Sequence, residues 1–282
     1  MIPQPVDYAA PRTVVEAVSV LAANQDARPL AGGQCLLAGL QTGDETAGVL
    51  VDLRRIPGLR GIRSTPDGGL EVGAMTTLYE LATDPVVRSM VPALAEAAGA
   101  VGDPPIRNRA TIGGNLAPSH GGTDLPAVAL ALDAHVRLAV PGGERDLSFA
   151  EYVLSERAPR VITAVSVPAR APHSRSAFEK LAQQAVTLPV TAVCVELTVQ
   201  GNIVAARVAR TGPNQLPVRL DQVEEALIGT DGDRATVLAA FADLPSEPFE
   251  GMSGYSAEYV RHVTGVLTSR AVRRIMSGEW AT

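Results

Sequence analysis

Cysteine is scarce in this chain. Cys35 and Cys194 are the two present among 282 residues, and they form no CxxC pair. An iron–sulfur cluster or a cysteine-rich zinc site held by this chain alone is therefore excluded, and a disulfide framework is not expected. A reducing cytoplasm suits such usage. Aromatic residues make up 4%, too few for an aromatic cage or a base-stacking platform. Lysine is nearly absent as well: Lys180 stands alone among 24 basic residues. With so much Ala, Gly and Val, this reads as GC-rich codon usage rather than as function. Nor is there an excess of positive charge. The formal net charge is −6 and the pI is about 5.3, which disfavours a generic binder of nucleic acid or anionic membrane. No apolar run approaches the ~20 residues that span a bilayer. The opening Met1-Ile2-Pro3-Gln4-Pro5 has no basic segment followed by an apolar one and is not read as a signal peptide.

What is present is ordinary globular material. Hydrophobic residues are 46% and charged residues 19%, enough for one large domain or two modest ones with a buried core. Apolar residues at helical spacing predict a helix over 13–23. Short apolar runs predict strands at 28–31 and 49–53, so the chain opens as a small α/β unit. Alternation then predicts a hairpin of 59–63 and 70–74 around Pro66-Asp67-Gly68-Gly69. Helices are expected at 77–82 and 90–100, and strands at 135–140 and 161–167. The proline- and arginine-rich stretch 168–176 reads as a boundary. Beyond it, 177–181, 190–200 and 203–210 alternate as antiparallel strands, and 220–228, 234–241 and 256–277 read as helices.

Two glycine pairs stand out. One is Pro29-Leu30-Ala31-Gly32-Gly33-Gln34-Cys35-Leu36; the other is Thr111-Ile112-Gly113-Gly114-Asn115-Leu116. Paired glycines permit left-handed backbone and remove side-chain bulk, so successive N–H groups can converge on an anion. Two such loops facing each other would cradle a pyrophosphate, with Gln34, Thr111 and Asn115 adding side-chain hydrogen bonds. Taken singly, each pair is better explained as a tight turn. Neither matches GxGxxG or the GxxxxGK[ST] phosphate loop.

Together the segments resemble the FAD-binding subunit of the xanthine dehydrogenase / carbon monoxide dehydrogenase family of molybdenum hydroxylases. The carriers are the start at 5–11, Ala31-Gly32-Gly33-Gln34-Cys35-Leu36, Val51-Asp52-Leu53 and Val72-Gly73-Ala74-Met75-Thr76-Thr77. Gly102-Asp103-Pro104-Pro105-Ile106-Arg107-Asn108 then leads into Thr111-Ile112-Gly113-Gly114-Asn115. Asp124-Leu125-Pro126-Ala127 and Glu179-Lys180-Leu181 complete a match spanning essentially the whole chain.

The resemblance implies an α+β chain. A two-lobed FAD-binding domain of the vanillyl-alcohol-oxidase (PCMH) type would occupy 1–168, with lobes of about 1–55 and 56–168. A smaller α+β domain of the CO dehydrogenase flavoprotein C-terminal type would occupy 177–282. FAD would be held without a covalent link. Pro29, Leu30, Ala31, Gly32, Gly33, Gln34, Cys35 and Leu36 would form one side of the pyrophosphate site, and Thr111, Gly114 and Asn115 the other. Asp124 would take the adenosine ribose hydroxyls. Val101 and Ile162 would contact the flavin, and Lys180 would place a cation by the isoalloxazine; an ion pair of Lys180 with Glu179 or another carboxylate is the alternative. Cys35 stands where the family usually has serine and reads as a conservative substitute. One stretch departs from the family: 182–189 carries neither charge nor aromatic.

The partners implied are a molybdopterin-binding large subunit and a [2Fe–2S] small subunit, with an external electron acceptor. The rival is a free-standing FAD oxidoreductase acting on a small organic substrate. A flavin-binding module without turnover is a third class. Other constellations fail. His120, His135, His173 and His262 have no metal-ligand spacing, and Ser119-His120 lacks a third orienting group for a triad. His120 would lie near the second glycine loop. Arg273-Arg274 reads as a solvated face.

Overall fold

The computed structural model describes residues 5–278 apart from 118–121, 156–157, 185, 214 and 250–253. The first lobe runs β1 (Asp7–Ala9), α1 (Val14–Ala23), β2 (Ala27–Leu30), α2 (Leu36–Thr42) and β3 (Val49–Asp52), a parallel sheet ordered β1-β3-β2. Parallel pairing follows from the connections, because each helix carries the chain back to the starting edge. Thr13 caps α1 in a reciprocal box with Glu16, and Ala17, Val18 and Leu21 form its buried stripe. Asp52 ends β3 and is shared: it accepts from Arg54 Nε at 2.9 Å and from the Tyr8 hydroxyl, so β1 is pinned to its neighbour. β1 and α2 were not foreseen. Three residues give no period, and α2 starts inside the glycine-rich segment.

The second lobe contains β4 (Ile62–Ser64), β5 (Leu70–Gly73), α3 (Leu78–Thr83), α4 (Pro85–Met90), α5 (Pro92–Gly99), α6 (Pro104–Arg107), α7 (Ile112–Leu116), α8 (Leu125–Ala131), β6 (His135–Val140), β7 (Gly143–Ser148), α9 (Phe149–Leu154) and β8 (Val161–Val167). Its strands form an antiparallel sheet ordered β4-β5-β8-β6-β7. The expected hairpin is β4–β5, with Ile62 facing Val72 and Gly68 at φ +86° in the turn. The helix expected over 90–100 begins instead at Pro92, with a separate helix before it. Proline suits the first helical position and cannot continue an earlier helix, so Pro85 and Pro92 each start a new one. β7 escaped the sequence reading because it is an edge strand whose first four residues are exposed, leaving no apolar alternation.

The remainder is β9 (Ser174–Ala182), β10 (Pro189–Gln200), β11 (Asn202–Thr211), β12 (Val218–Arg219), α10 (Asp221–Leu227), α11 (Arg234–Ala240) and α12 (Ala257–Ser277). Its antiparallel sheet is ordered β12-β11-β10-β9, and Gly201 turns β10 into β11 at φ +80°. β10 is buried on both faces. Cys194 joins Phe178, Ala192 and Ala209 in the core containing α5 and α8, whereas Val195 joins the core under α12. Strand alternation thus puts one face of this sheet against the second lobe. Cys194 is fully buried and its thiol is pushed well above its usual range by that burial, so it acts as a small hydrophobe.

Polar contacts reinforce the same junction. Arg274 on α12 donates to Glu179 Oε1 at 2.9 Å and to Glu96 on α5, while Glu96 Oε2 accepts from Phe178 N at 2.9 Å. The expectation of a solvated face therefore does not hold for Arg274, whose side chain is 18% exposed. Removing one cation that neutralises two carboxylates leaves both partly buried without a counter-charge. Arg274→Leu is expected to lower stability by about 2–3 kcal/mol, read by urea denaturation. A change within error would show that the cluster contributes only orientation.

Candidate functional site

The first glycine loop joins β2 to α2. Gly33 lies at φ +77°, and a Cβ there would meet Leu37 Cδ1 at 2.9 Å. Gly32 is tighter still: a Cβ would lie 2.1 Å from the Arg109 carbonyl oxygen. The loop is therefore seated directly on the backbone that leads into the second loop. Cys35 returns to right-handed backbone at φ −87°, ψ −51°. Gln34 folds back, its Nε2 donating to the Gly32 carbonyl at 3.3 Å. Cys35 is exposed at its surface, yet the atoms packed around its sulfur raise the thiol above its ordinary value. A neutral thiol is a poor nucleophile, which supports reading Cys35 as a stand-in for a hydroxyl.

The second loop is α7. Thr111 caps it, its hydroxyl oxygen accepting from Gly114 N at 3.2 Å. Its two glycines do different work. Gly113 N donates to the Ala74 carbonyl at 2.9 Å, and a Cβ on Gly113 would lie 2.8 Å from Ala74 Cβ. Gly113 is thus a packing residue that lets the loop lie on β5's exit. Gly114 faces the other way, where an added Cβ would be 3.7 Å from Ala31 Cβ. The two loops are brought together as the sequence reading required. Asn115 is more committed than expected: its Oδ1 accepts from Leu125 N at 3.1 Å, and its carbonyl from Thr123 Oγ1 at 2.7 Å. Its Nδ2 is the group left for a ligand.

Asp124 and Lys180 lie together. Their side chains form an ion pair at 2.8 Å and are 2% and 9% exposed. Lys180 Nζ also donates to the Ala100 carbonyl at 3.1 Å. Lys180 does form an ion pair, but a buried one rather than the surface salt bridge that was the alternative, and its partner is not Glu179, which Arg274 holds. Burial pushes the Asp124 carboxyl up to about 6, although Lys180 pulls the other way. Apart from that Lys180 contact, no hydrogen bond reaches Asp124 Oδ1 among the described residues. Lys180 faces Ala192, and Ala192 faces Thr211, whose buried hydroxyl likewise has no partner. Cross-strand partners share a face, so one face of the sheet carries an ion pair and an unsatisfied hydroxyl at the same level.

Val101 adjoins Ala100 and is half-buried; its carbonyl accepts from Arg107 Nη1 at 3.0 Å. Ile162, half-buried on β8, precedes Thr163, whose carbonyl takes Ala74 N at 3.0 Å. Arg107 was given no role by the sequence reading, although it bonds both the Val101 and Gly102 carbonyls and so shapes this wall. The one local signal was Asp103-Pro104, a capped helix start. Ser119 and His120 lie outside the described residues. Among the described residues no group of three His, Cys, Asp or Glu is placed to hold a metal.

Two outcomes follow from this geometry. Gly32→Ala must push the loops apart, so it is expected to cost about 1–3 kcal/mol and to weaken FAD uptake as severely as Gly33→Val or Gly114→Val. Flavin content after purification reads this; normal content in any of the three would exclude that loop from the cofactor. For Asp124 the folded value lies above the ordinary 3.8, so the folded chain holds this proton more tightly than the unfolded one. That stabilisation is complete below about 3.8 and is lost as pH rises through about 6. Urea melts of the flavin-free chain should therefore show wild type losing stability relative to Asp124→Asn across that window and running parallel above it. Parallel curves throughout would show that Asp124 ionises normally.

Known proteins resemble this chain over essentially its whole length. Residues 4–170 match the FAD binding domain in molybdopterin dehydrogenase, and residues 176–275 match the CO dehydrogenase flavoprotein C-terminal domain. The carbon monoxide dehydrogenase medium chain of Hydrogenophaga pseudoflava is 34% identical over 291 residues, covering 100% of this chain and 99% of that one. Reconstituted CO dehydrogenase from Oligotropha carboxidovorans contains a chain that superposes with a TM-score of 0.90 at 32% identity, covering 98% of this chain and 99% of the other. Quinoline 2-oxidoreductase from Pseudomonas putida 86 contains one with a TM-score of 0.87 at 29% identity, covering 98% of each. With its two glycine loops seated on one another and both of its parts matched, the chain belongs to the family of FAD-binding subunits of molybdopterin dehydrogenases, the CO dehydrogenase medium chains among them.

Proposed function

We propose that this chain is an electron relay. It takes electrons from [2Fe–2S] clusters on a small partner chain, fed by a molybdopterin-binding large partner, and passes them to an external acceptor. The observation that carries this is the seating of Gly32 on Arg109 in a chain whose full length aligns with medium chains. FAD, when bound, supplies reversible two-electron storage. The backbone of 32–36, with Thr111, Gly114 and the Asn115 amide, holds the pyrophosphate. Pro29, Leu30, Ala31 and Leu36 shape that loop, and Val101 and Ile162 line the ring. This divides the chain into 1–168, with lobes of about 1–55 and 56–168, and 177–282; strands ending at Val167 and resuming at Ser174 support the division. Scarce cysteine suits a cytoplasmic setting, and among the described residues no helix is long and apolar enough to cross a membrane.

The 2.8 Å contact between Asp124 and Lys180 bears on their roles. The adenosine ribose and the isoalloxazine lie at opposite ends of an extended FAD, so two residues in contact belong to one end. We assign both to the ring. Lys180 then stabilises added negative charge on the ring, and Asp124 offsets that effect. Lys180→Met is expected to lower the flavin midpoint potential and Asp124→Asn to raise it, as read by spectroelectrochemistry. Unchanged potentials in both would remove the pair from the ring.

The purified chain should be yellow and release FAD rather than FMN on denaturation; FMN in the chromatogram would sink the pyrophosphate assignment. A free-standing oxidoreductase is the second reading, favoured by the uncharged segment 182–189, where Val186 and Leu188 are exposed. An anaerobic screen separates the two. A relay chain keeps its flavin oxidised with small organic substrates until partner chains are added. Rapid bleaching of the isolated chain by a non-nicotinamide substrate would establish the rival.

A further inference from the structure

A cleft of about 830 Å³ is lined by no residue of either glycine loop, although Arg107 borders both it and the wall at Val101 and Gly102. One wall is α3, α4 and α5; the other is the segment leaving β8 and the start of β9. Crevices of this size between two parts of a chain are where small molecules bind. Its charge is unusual for a chain of net charge −6. Arg88, Arg107, Arg170 and Arg175 line it, with the carboxylates Glu96 and Glu196.

Both carboxylates are already neutralised by arginine. Glu196 receives Arg170 Nε at 2.5 Å and Arg207 Nη1 at 3.0 Å, and Glu96 receives Arg274. The other three arginines have no carboxylate partner among the described residues. Arg88 Nε donates to the Ala82 carbonyl at 2.9 Å, Arg175 Nη1 to the Ser174 carbonyl at 2.8 Å, and Arg107 Nη1 to the Gly102 carbonyl at 2.8 Å. Each bonds through one nitrogen to a carbonyl, so each has further N–H donors to offer. Arg88 and Arg175 stand on opposite walls. Hydroxyls of Thr83, Ser89 and Ser174 and the Tyr79 ring complete the lining.

We propose that this cleft is a second ligand site, distinct from the flavin loops, and that it takes a small organic phosphate of nucleotide type. Guanidinium forks match phosphate oxygens in geometry as well as charge. A ligand rich in acceptors and carrying more than one negative charge satisfies arginines on both walls at once. A planar base has the half-exposed Tyr79 ring to lie against. Bridging the walls ties α4 to β9, so occupancy raises thermal stability by mass action.

The test uses the full chain saturated with FAD, so that the flavin site is closed to the probe. ADP is titrated by calorimetry, with thermal melting alongside and inorganic phosphate as the comparison. Saturable ADP binding with a rise in Tm is expected, weakened about tenfold or more in Arg88→Ala/Arg175→Ala. Both side chains are exposed, so that variant should fold, and its unchanged flavin spectrum verifies it. Arg234→Ala, at the start of α11, should bind ADP as wild type does. Four results would overturn the proposal: ADP binding only to the FAD-free chain, equal affinity in the double variant, phosphate binding as tightly as ADP, or no ADP binding at millimolar concentration. Capture of a poly-glutamate peptide in place of ADP would likewise overturn it, assigning the cleft to an acidic partner segment.

Discussion

The backbone of Gly32 rests on the carbonyl of Arg109 with no room for a methyl group between them. Much of the site depends on that contact. It joins the turn after a parallel strand of the first lobe to the segment entering α7 in the second. Neither loop alone is more than a glycine-containing turn. Pressed together, they join the two lobes, and residues 77 positions apart come into contact. Close approach of this kind is bought with side-chain loss, so both loops are rich in glycine even where the backbone is not left-handed. Gly113 illustrates this, because it gives way to Ala74 rather than to a ligand.

The C-terminal sheet is the second constraint. β10 is buried on both faces, one face packing on α5 and α8 and the other on α12. Lys180 therefore cannot reach water freely, and burial forces it to find a counter-ion. Asp124, at the entrance to α8, is that counter-ion. The pairing ties the C-terminal sheet to the segment following the second glycine loop. It also leaves a carboxyl held near 6, within reach of physiological pH. Arg274, clamped between Glu96 and Glu179, secures the same junction from the other side of β9.

Charge is distributed unevenly. The chain is acidic overall, yet arginine is gathered on the crevice between the second lobe and β9. Each carboxylate there is already paired with arginine, and three guanidinium groups have no carboxylate partner among the described residues. A surface built for solubility alone would intersperse the signs. The two glycine loops, by contrast, carry no arginine of their own and present mainly backbone and small polar groups.

Local patterns determined a good deal by themselves. The helix after Thr13 follows from its capping box, the β4–β5 hairpin from Asp67-Gly68, and the long strands β10 and β11 from alternation around Gly201. The two glycine loops were legible as a matched pair because their order and separation resemble a known family. Other features were settled only by the tertiary structure. Proline split the expected helix over 90–100, an edge strand carried too little apolar alternation to register, and Arg274 proved half-buried and paired. The division of labour between Gly113 and Gly114 depends on which neighbour each meets in space. So does the pairing of Asp124 with Lys180, 56 positions apart. A sequence states which groups carry charge; burial decides which of them must meet, because an isolated charge cannot be taken out of water.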